Sequence, residues 1–155
     1  MAQPASFQKC IPLIINGKEI PSTISFPVIS PLTGKEVWTC SSASSQHIDD
    51  AIVAAQKAFA TWGKTKATYR RDIFLRAASI IEKRKQELGE YMHHEIGANE
   101  GYQEFILGLA IEGLKDTAGR IAGAVTGSVP DSIHDGMRAM VVKRPYGVNL
   151  GIAPW

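Results

Sequence analysis

Lys35-Glu36-Val37-Trp38-Thr39-Cys40 alternates polar and apolar residues. Beyond the serine-rich stretch 41–45, Ile48, Ile52, Ala55, Phe59 and Trp62 then follow at steps of four, three, four and three. Alternation with a period of two marks a strand with one covered face, and steps of three and four align side chains along one side of a helix. This switch of period predicts a strand feeding a helix, and so an α/β chain. The serine cluster supplies a helix cap. Asp49 and Asp50 are expected in the first turn, where the helix dipole favours anions, and Gly63 is expected to stop the helix.

Upstream, Pro12-Leu13-Ile14-Ile15 and Lys18-Glu19-Ile20 flank Asn16-Gly17. That dipeptide accepts positive φ at both positions and is a strong hairpin signal. Phe26-Pro27-Val28-Ile29-Ser30 runs into Pro31-Leu32-Thr33-Gly34, a turn that returns through Lys35 to Cys40. The first ten residues show no pattern. Residues 1–10 are therefore expected to be loose and residues 11–155 to form the folded unit.

Downstream, Thr68 is expected to cap a second helix. Ile73, Ala77, Ile80 or Ile81, Leu88 and Met92 make its buried stripe, and the helix runs to Gly97. Tyr102, Phe105, Ile106 and Leu109 predict a third helix. Its glycines (Gly101, Gly108, Gly113) would each cost roughly 1 kcal/mol against alanine, so they are expected to mark close helix packing. Gly123, Gly127 and Pro130 end the helical region. After an Asp135-Gly136 turn, Met137 to Lys143 predicts a strand, Arg144-Pro145-Tyr146-Gly147 a bend, and Val148 to Trp155 a further strand. A strand needs neighbours, and natural termini are more often polar. An apolar Ile152-Ala153-Pro154-Trp155 ending is therefore expected to mark a truncated chain.

Composition narrows the class. With 45% hydrophobic and 21% charged residues, the chain is globular in character. Its 17 basic and 15 acidic residues leave a net charge of +2, which gives no reason to expect nucleic acid or an anionic membrane as partner. Two cysteines outside any Cys-x-x-Cys pair do not make a disulfide framework and favour a reducing compartment. No signal or transit pattern opens the chain, and no apolar run approaches the ~18 residues of a membrane span. A cytoplasmic protein is the expectation.

Four of these stretches, in this order, resemble the aldehyde dehydrogenase superfamily. Leu13 to Gly17 with Pro31 to Val37 is similar to the family's N-terminal hairpin and Asn-Pro-x-Thr-Gly turn, with Ser30 standing where Asn is usual. Ala51 to Trp62 is similar to its alanine-rich first helix. Arg70 to Ala78 through Glu95-Ile96-Gly97 is similar to its second long helix. Arg144-Pro145-Tyr146-Gly147-Val148 through Ala153-Pro154-Trp155 resembles its approach to the cofactor-binding sheet. Glu95-Ile96-Gly97-Ala98 and the aromatic-bearing helix after it resemble the branch acting on aromatic aldehydes such as vanillin or salicylaldehyde.

The resemblance implies the N-terminal part of the aldehyde dehydrogenase fold: β-hairpins, long helices and the start of a Rossmann-like sheet, incomplete. It implies NAD(P)-dependent oxidation of an aldehyde through a thiohemiacetal on cysteine, resolved by a glutamate-activated water. That cysteine and glutamate belong to family segments beyond this sequence, and the oxyanion-binding asparagine would follow Trp155 directly. No catalytic residue is therefore assigned here. Ile152, Ala153, Pro154 and Trp155 match the family's nicotinamide-end wall of an NAD or NADP site, while the glycine-containing phosphate turn is not in the sequence. Met137 to Lys143 matches the strand of the oligomerisation arm, implying a homo-oligomer for the intact enzyme. The fragment alone is expected to be inactive. The alternatives are a non-catalytic fragment that pairs with a full-length homologue, or a truncated product without function.

Competing readings of single residues are structural. Cys10 and Cys40 lie in the β region outside the family's cysteine context and are read as structural or incidental. His93-His94-Glu95 lacks the His-Glu-x-x-His spacing, and adjacent helical residues point about 100° apart, so no metal site is assigned. Nothing near Glu95 in sequence marks it as a catalytic acid. Trp155 could equally serve packing.

Overall fold

A computed structural model describes residues 10–153. The elements are β1 (Cys10–Ile11), β2 (Leu13–Ile15), β3 (Lys18–Ile20), β4 (Ser25–Ile29), β5 (Glu36–Ser41), α1 (Ser45–Trp62), α2 (Ala67–Lys83), α3 (Lys85–Ile96) and α4 (Glu100–Ala124). The α/β architecture read from the sequence is borne out, with both hairpins in place. β2 and β3 pair antiparallel through Asn16 and Gly17, at φ 53° and 70°. Two positive φ values in a two-residue loop match the twist of the flanking strands. β4 and β5 pair antiparallel, with a bulge at Val28/Ile29. Ser30 N–H donates to Lys35 O at 2.9 Å, and Gly34 N–H donates to Ser30 O at 2.8 Å, closing the turn between them.

The start of the described chain departs from expectation. Cys10 is ordered into β1, which runs parallel to β5 and completes a sheet of order β1-β5-β4. Two residues are too few to show a period in sequence, and only the waiting edge of β5 gives them a conformation. Residues 1–9 lie outside the described residues.

The sheet and the helices are joined by Trp38. This β5 side chain is 2% exposed. Its ring meets Tyr91 of α3 edge-on at 5.6 Å and His94 at 6.3 Å, and its Nε1–H donates to Glu95 Oε1 at 3.0 Å. The indole buries its apolar body and satisfies its polar tip in one place. A second contact lies at the end of α3. Gly97 caps it at φ 72°, with its N–H on His93 O at 3.0 Å. A Cβ at Gly97 would stand 3.3 Å from Leu32 Cδ2, so the β4–β5 turn rests on the helix end. The left-handed conformation and the close approach both require glycine there.

α2 packs mainly on α4, through faces that bury Ala78 on one helix and Leu107, Ile111 and Ala118 on the other. The helix expected from Tyr102, Phe105, Ile106 and Leu109 is present, but these residues do not mark its buried side. Phe105 and Leu109 are 64% and 60% exposed, and the steps of four and seven from Leu107 define the buried side instead. The sequence there is apolar nearly all round, so periodicity alone cannot choose a face. Close packing at the α4 glycines is also overturned: a Cβ at Gly108 or Gly113 would meet nothing within 4 Å. The crowded helical glycine is Gly89 of α3, where an added Cβ would meet Gln103 of α4.

Other boundaries shift. α1 is capped by Ser44, so Asp49 and Asp50 fall beyond its first turn, which holds no acidic residue. Lys66, not Thr68, precedes α2. The single helix expected up to Gly97 breaks at Arg84 (φ −104°, ψ 16°). There the Arg84 guanidinium turns onto Glu87 through bonds of 2.7 and 2.9 Å. The break lets α3 serve Trp38 while α2 stays on α4. Met137 to Lys143 is not a strand. One bridge pairs Ser128 with Val141, while Met137 and Met140 are 65% and 76% exposed. Val148 to Ala153 likewise joins no sheet. Both stretches have strand-like composition, but no sheet edge reaches them among the described residues, so their backbones find no ladder. No described helix is long and apolar enough to cross a membrane.

Trp38→Ala is expected to cost the 155-residue chain about 3–5 kcal/mol in urea unfolding. Glu95→Gln keeps a side-chain acceptor and is expected to cost about 1 kcal/mol or less. Equal losses from the two would contradict the role given to the indole.

Candidate functional site

β2, α1 and the segment 148–150 enclose an open apolar groove of about 750 Å³. Leu13, Ile14 and Ile15 form one side, Ile48, Ile52 and Ala55 the other, and Val148, Asn149 and Leu150 lie along it. This is the predicted face of α1, and the structure leaves it largely uncovered: Ile48 is 53% and Ile52 45% exposed, and α1 has no buried residue. Strand β2 supplies the principal packing partner of this helix.

Arg70 ties the other end of α1 to α2. Its Nε–H donates to Thr65 Oγ1 at 2.9 Å, and its Nη2 donates to Thr65 O, Gly63 O and Trp62 O at 3.0, 3.3 and 3.4 Å. The guanidinium also sits 5.9 Å from the centre of the Trp62 ring. The last carbonyls of a helix lack partners within it, and here a planar cation supplies them. Gly63 caps α1 in the right-handed region at φ −59°, so the stop expected at this glycine does not use its left-handed freedom. Arg70 thus fixes the end of α1 remote from the groove. Its signal was the Thr65-x-x-x-x-Arg70 spacing across a loop, which no periodicity test detects.

Of the stretch assigned to the cofactor, Ile152 and Ala153 are described, and neither lines this groove. Tyr146 is fully exposed, and Asn149 Nδ2 donates to Gly147 O at 3.1 Å. Leu150 and Ile152 are 87% and 86% exposed, and Ala153 is exposed. Pro154 and Trp155 lie outside the described residues. Ile152 and Ala153 therefore stand exposed, and no described residues enclose them.

The remaining chemistry-bearing residues have structural partners. His93 Nδ1 lies 3.1 Å from Ala98 O, His94 packs on Trp38, and Glu95 accepts from the indole. No group of three or more metal-ligating side chains occurs among the described residues. Cys40 is part-buried and Cys10 exposed, both as free thiols. Burial pushes the Cys40 thiol up from its ordinary value, with smaller contributions from the Glu95 carboxylate and Cys10. Cys10 pairs with Thr39, and Ile11 pairs with Cys40. Paired residues share a face and neighbours along a strand alternate, so the two thiols point to opposite faces of the sheet. Cys10 Sγ accordingly lies 3.8 Å from Ser41 Oγ.

Residues 19–155 match the aldehyde dehydrogenase family. The chain belongs to this family, and its architecture is that of the N-terminal part of the family's fold. It is 37% identical over 147 residues to the vanillin dehydrogenase of Pseudomonas sp. (strain HR199 / DSM 7063), covering 94% of this chain and 30% of that protein. It is 30% identical to a 1-pyrroline-5-carboxylate dehydrogenase of Bacillus subtilis (strain 168), over 95% of this chain and 28% of that one. An NAD-dependent benzaldehyde dehydrogenase from Corynebacterium glutamicum superposes with a TM-score of 0.76 at 27% identity, covering 86% of this chain and 29% of that one. A salicylaldehyde dehydrogenase from Pseudomonas putida G7 shares the fold at a TM-score of 0.82 and 22% identity, over 89% and 29% of the two chains. The chain thus spans about 30% of the length of the curated relatives it matches.

Two measurements follow from this geometry. Arg70→Ala is expected to lower stability by about 1–3 kcal/mol, and Arg70→Lys to recover less than half of it, because one ammonium cannot reproduce the fork; urea titration reads both. In timed iodoacetamide labelling at pH 8, Cys10 is expected to react before Cys40. The raised Cys40 pKa leaves less thiolate at a given pH, so Glu95→Gln is expected to speed Cys40 alkylation, and mild oxidation to leave the two thiols unlinked.

Proposed function

We propose that this chain is the non-catalytic opening portion of a system that oxidises aldehydes, aromatic ones in particular, to carboxylic acids with NAD or NADP. The observation that carries this reading is the family match across residues 19–155, joined to relatives named for vanillin and benzaldehyde. The dinucleotide, when bound in the intact enzyme, accepts the hydride from the aldehyde carbon. The part given to this chain is scaffolding: Ile152, Ala153, Pro154 and Trp155 form a wall beside the nicotinamide end, at the start of a Rossmann-like sheet. The open wall at Ile152 and Ala153 supports the further reading that the chain alone binds the dinucleotide poorly and turns nothing over. Two free thiols fit a reducing cytoplasm.

A second reading is favoured by the exposure of Met137, Met140 and Val142, with a single bridge at Val141. This segment has the composition of a strand and an unfilled ladder, the requirement for adding to a sheet edge of another chain. Under that reading Met137 to Lys143 pairs with a full-length homologue, or with its own copy in the intact homo-oligomer.

The purified 155-residue chain, incubated with NAD and benzaldehyde or vanillin, is expected to form no NADH above a no-protein control. Steady NADH production would overturn the assignment of a scaffold role. Mixed with a full-length vanillin dehydrogenase relative, the chain is expected to co-elute with it in light-scattering chromatography if the pairing reading holds, and Val141→Pro to abolish co-elution.

A further inference from the structure

We propose that the reciprocal hydrogen bonds between Ser44 and His47 make the first turn of α1, and with it one wall of the apolar groove, sensitive to acid. Ser44 Oγ accepts from His47 N–H at 3.3 Å, and Ser44 N–H donates to His47 Nδ1 at 3.2 Å. Together they form a capping box. In the usual capping box a Glu or Gln side chain takes the third helical position, and it remains an acceptor through mild acid. Histidine differs. Neutral imidazole has one acceptor nitrogen, and imidazolium has none. A proton added to Nδ1 converts the acceptor into a donor that faces the Ser44 N–H. It also places a cation at the positive end of the helix dipole. Both effects oppose the cap, and both arise where imidazoles take up their second proton, between about pH 8 and pH 5.

The surroundings offer little compensation. Among the described residues that line the groove, His47 is the only titratable one. β2 presents Leu13, Ile14 and Ile15, and the segment 148–150 presents Val148, Asn149 and Leu150. Beside β2 in the hairpin, β3 carries Lys18 and Glu19, one charge of each sign. On α1 itself Asp49 and Asp50 follow, and Asp50 Oδ1 accepts from Gln46 Nε2 at 3.0 Å. These carboxylates attract an imidazolium but do not restore an acceptor to Ser44. Because α1 has no buried residue, its first turn relies on the cap more than on packing. Acid therefore loosens Ser44 to Ile48 and the adjoining groove wall before it reaches the α2–α4 core.

His47→Gln keeps an acceptor at the same position without the titration. Thermal unfolding of the 155-residue chain and of this variant is expected to give matching midpoints at pH 8. At pH 5 the wild-type midpoint is expected to lie about 2–4 °C below that of the variant. A difference that stays constant between the two pH values would overturn the proposal, whatever the other three histidines contribute. A second measurement needs no variant. Imidazole nitrogen shifts at pH 8 are expected to show His47 protonated at Nε2, and the Ser44 amide resonance to follow its titration. An Nδ1-protonated ring, or a Ser44 amide that does not move, would overturn it equally.

Discussion

The burial of one indole against α3 is the interaction on which the arrangement depends. The sheet β1-β5-β4 is small, and strands of two to six residues have little stability without a layer to cover a face. Trp38 provides that layer contact from the middle of β5. Tyr91 and His94 pack against its ring edge-on, and Glu95 receives its N–H, so three side chains from little more than one turn of α3 converge on one residue. The break at Arg84 and the glycine at position 97 follow from the same demand. α3 must leave the line of α2 to reach the sheet, and it must stop where the turn at Leu32 closes over it.

α1 stands apart from this core. It rests on the β2–β3 hairpin and is held at its two ends by polar side chains, Ser44 with His47 at the start and Arg70 at the finish. Its apolar face remains open to the groove. The same holds along residues 137–152, where strand-like composition meets no sheet. A chain that spans about 30% of its relatives' length has an apolar surface larger than its own core can cover. Such surface is what scaffolding for a larger assembly looks like in physical terms, and it is why the proposed role is one of positioning rather than chemistry.

Much of this was legible in the residues. Asn16-Gly17 and Pro31 to Gly34 announced their turns through φ requirements that few residues meet, and the steps from Ile48 to Trp62 announced α1. Short motifs in a fixed order identified the family, because turn residues and helix faces constrain composition position by position. The cofactor wall proposed at Ile152 to Trp155 rests on likeness to the family alone. The Arg70 fork and the Ser44–His47 pair were not recognised, since one bridges a loop and the other replaces the familiar Glu or Gln by histidine.

The sequence by itself determined the local elements: which stretches turn, which alternate, and which wind into helices, together with the family they belong to. Only tertiary structure decided which face of α4 is buried, where the second helix breaks, that Cys10 joins a sheet, and that Met137 to Lys143 does not. Local propensity acts through neighbours in the chain. Burial and strand pairing depend instead on a partner surface being present, and no window of sequence contains that partner.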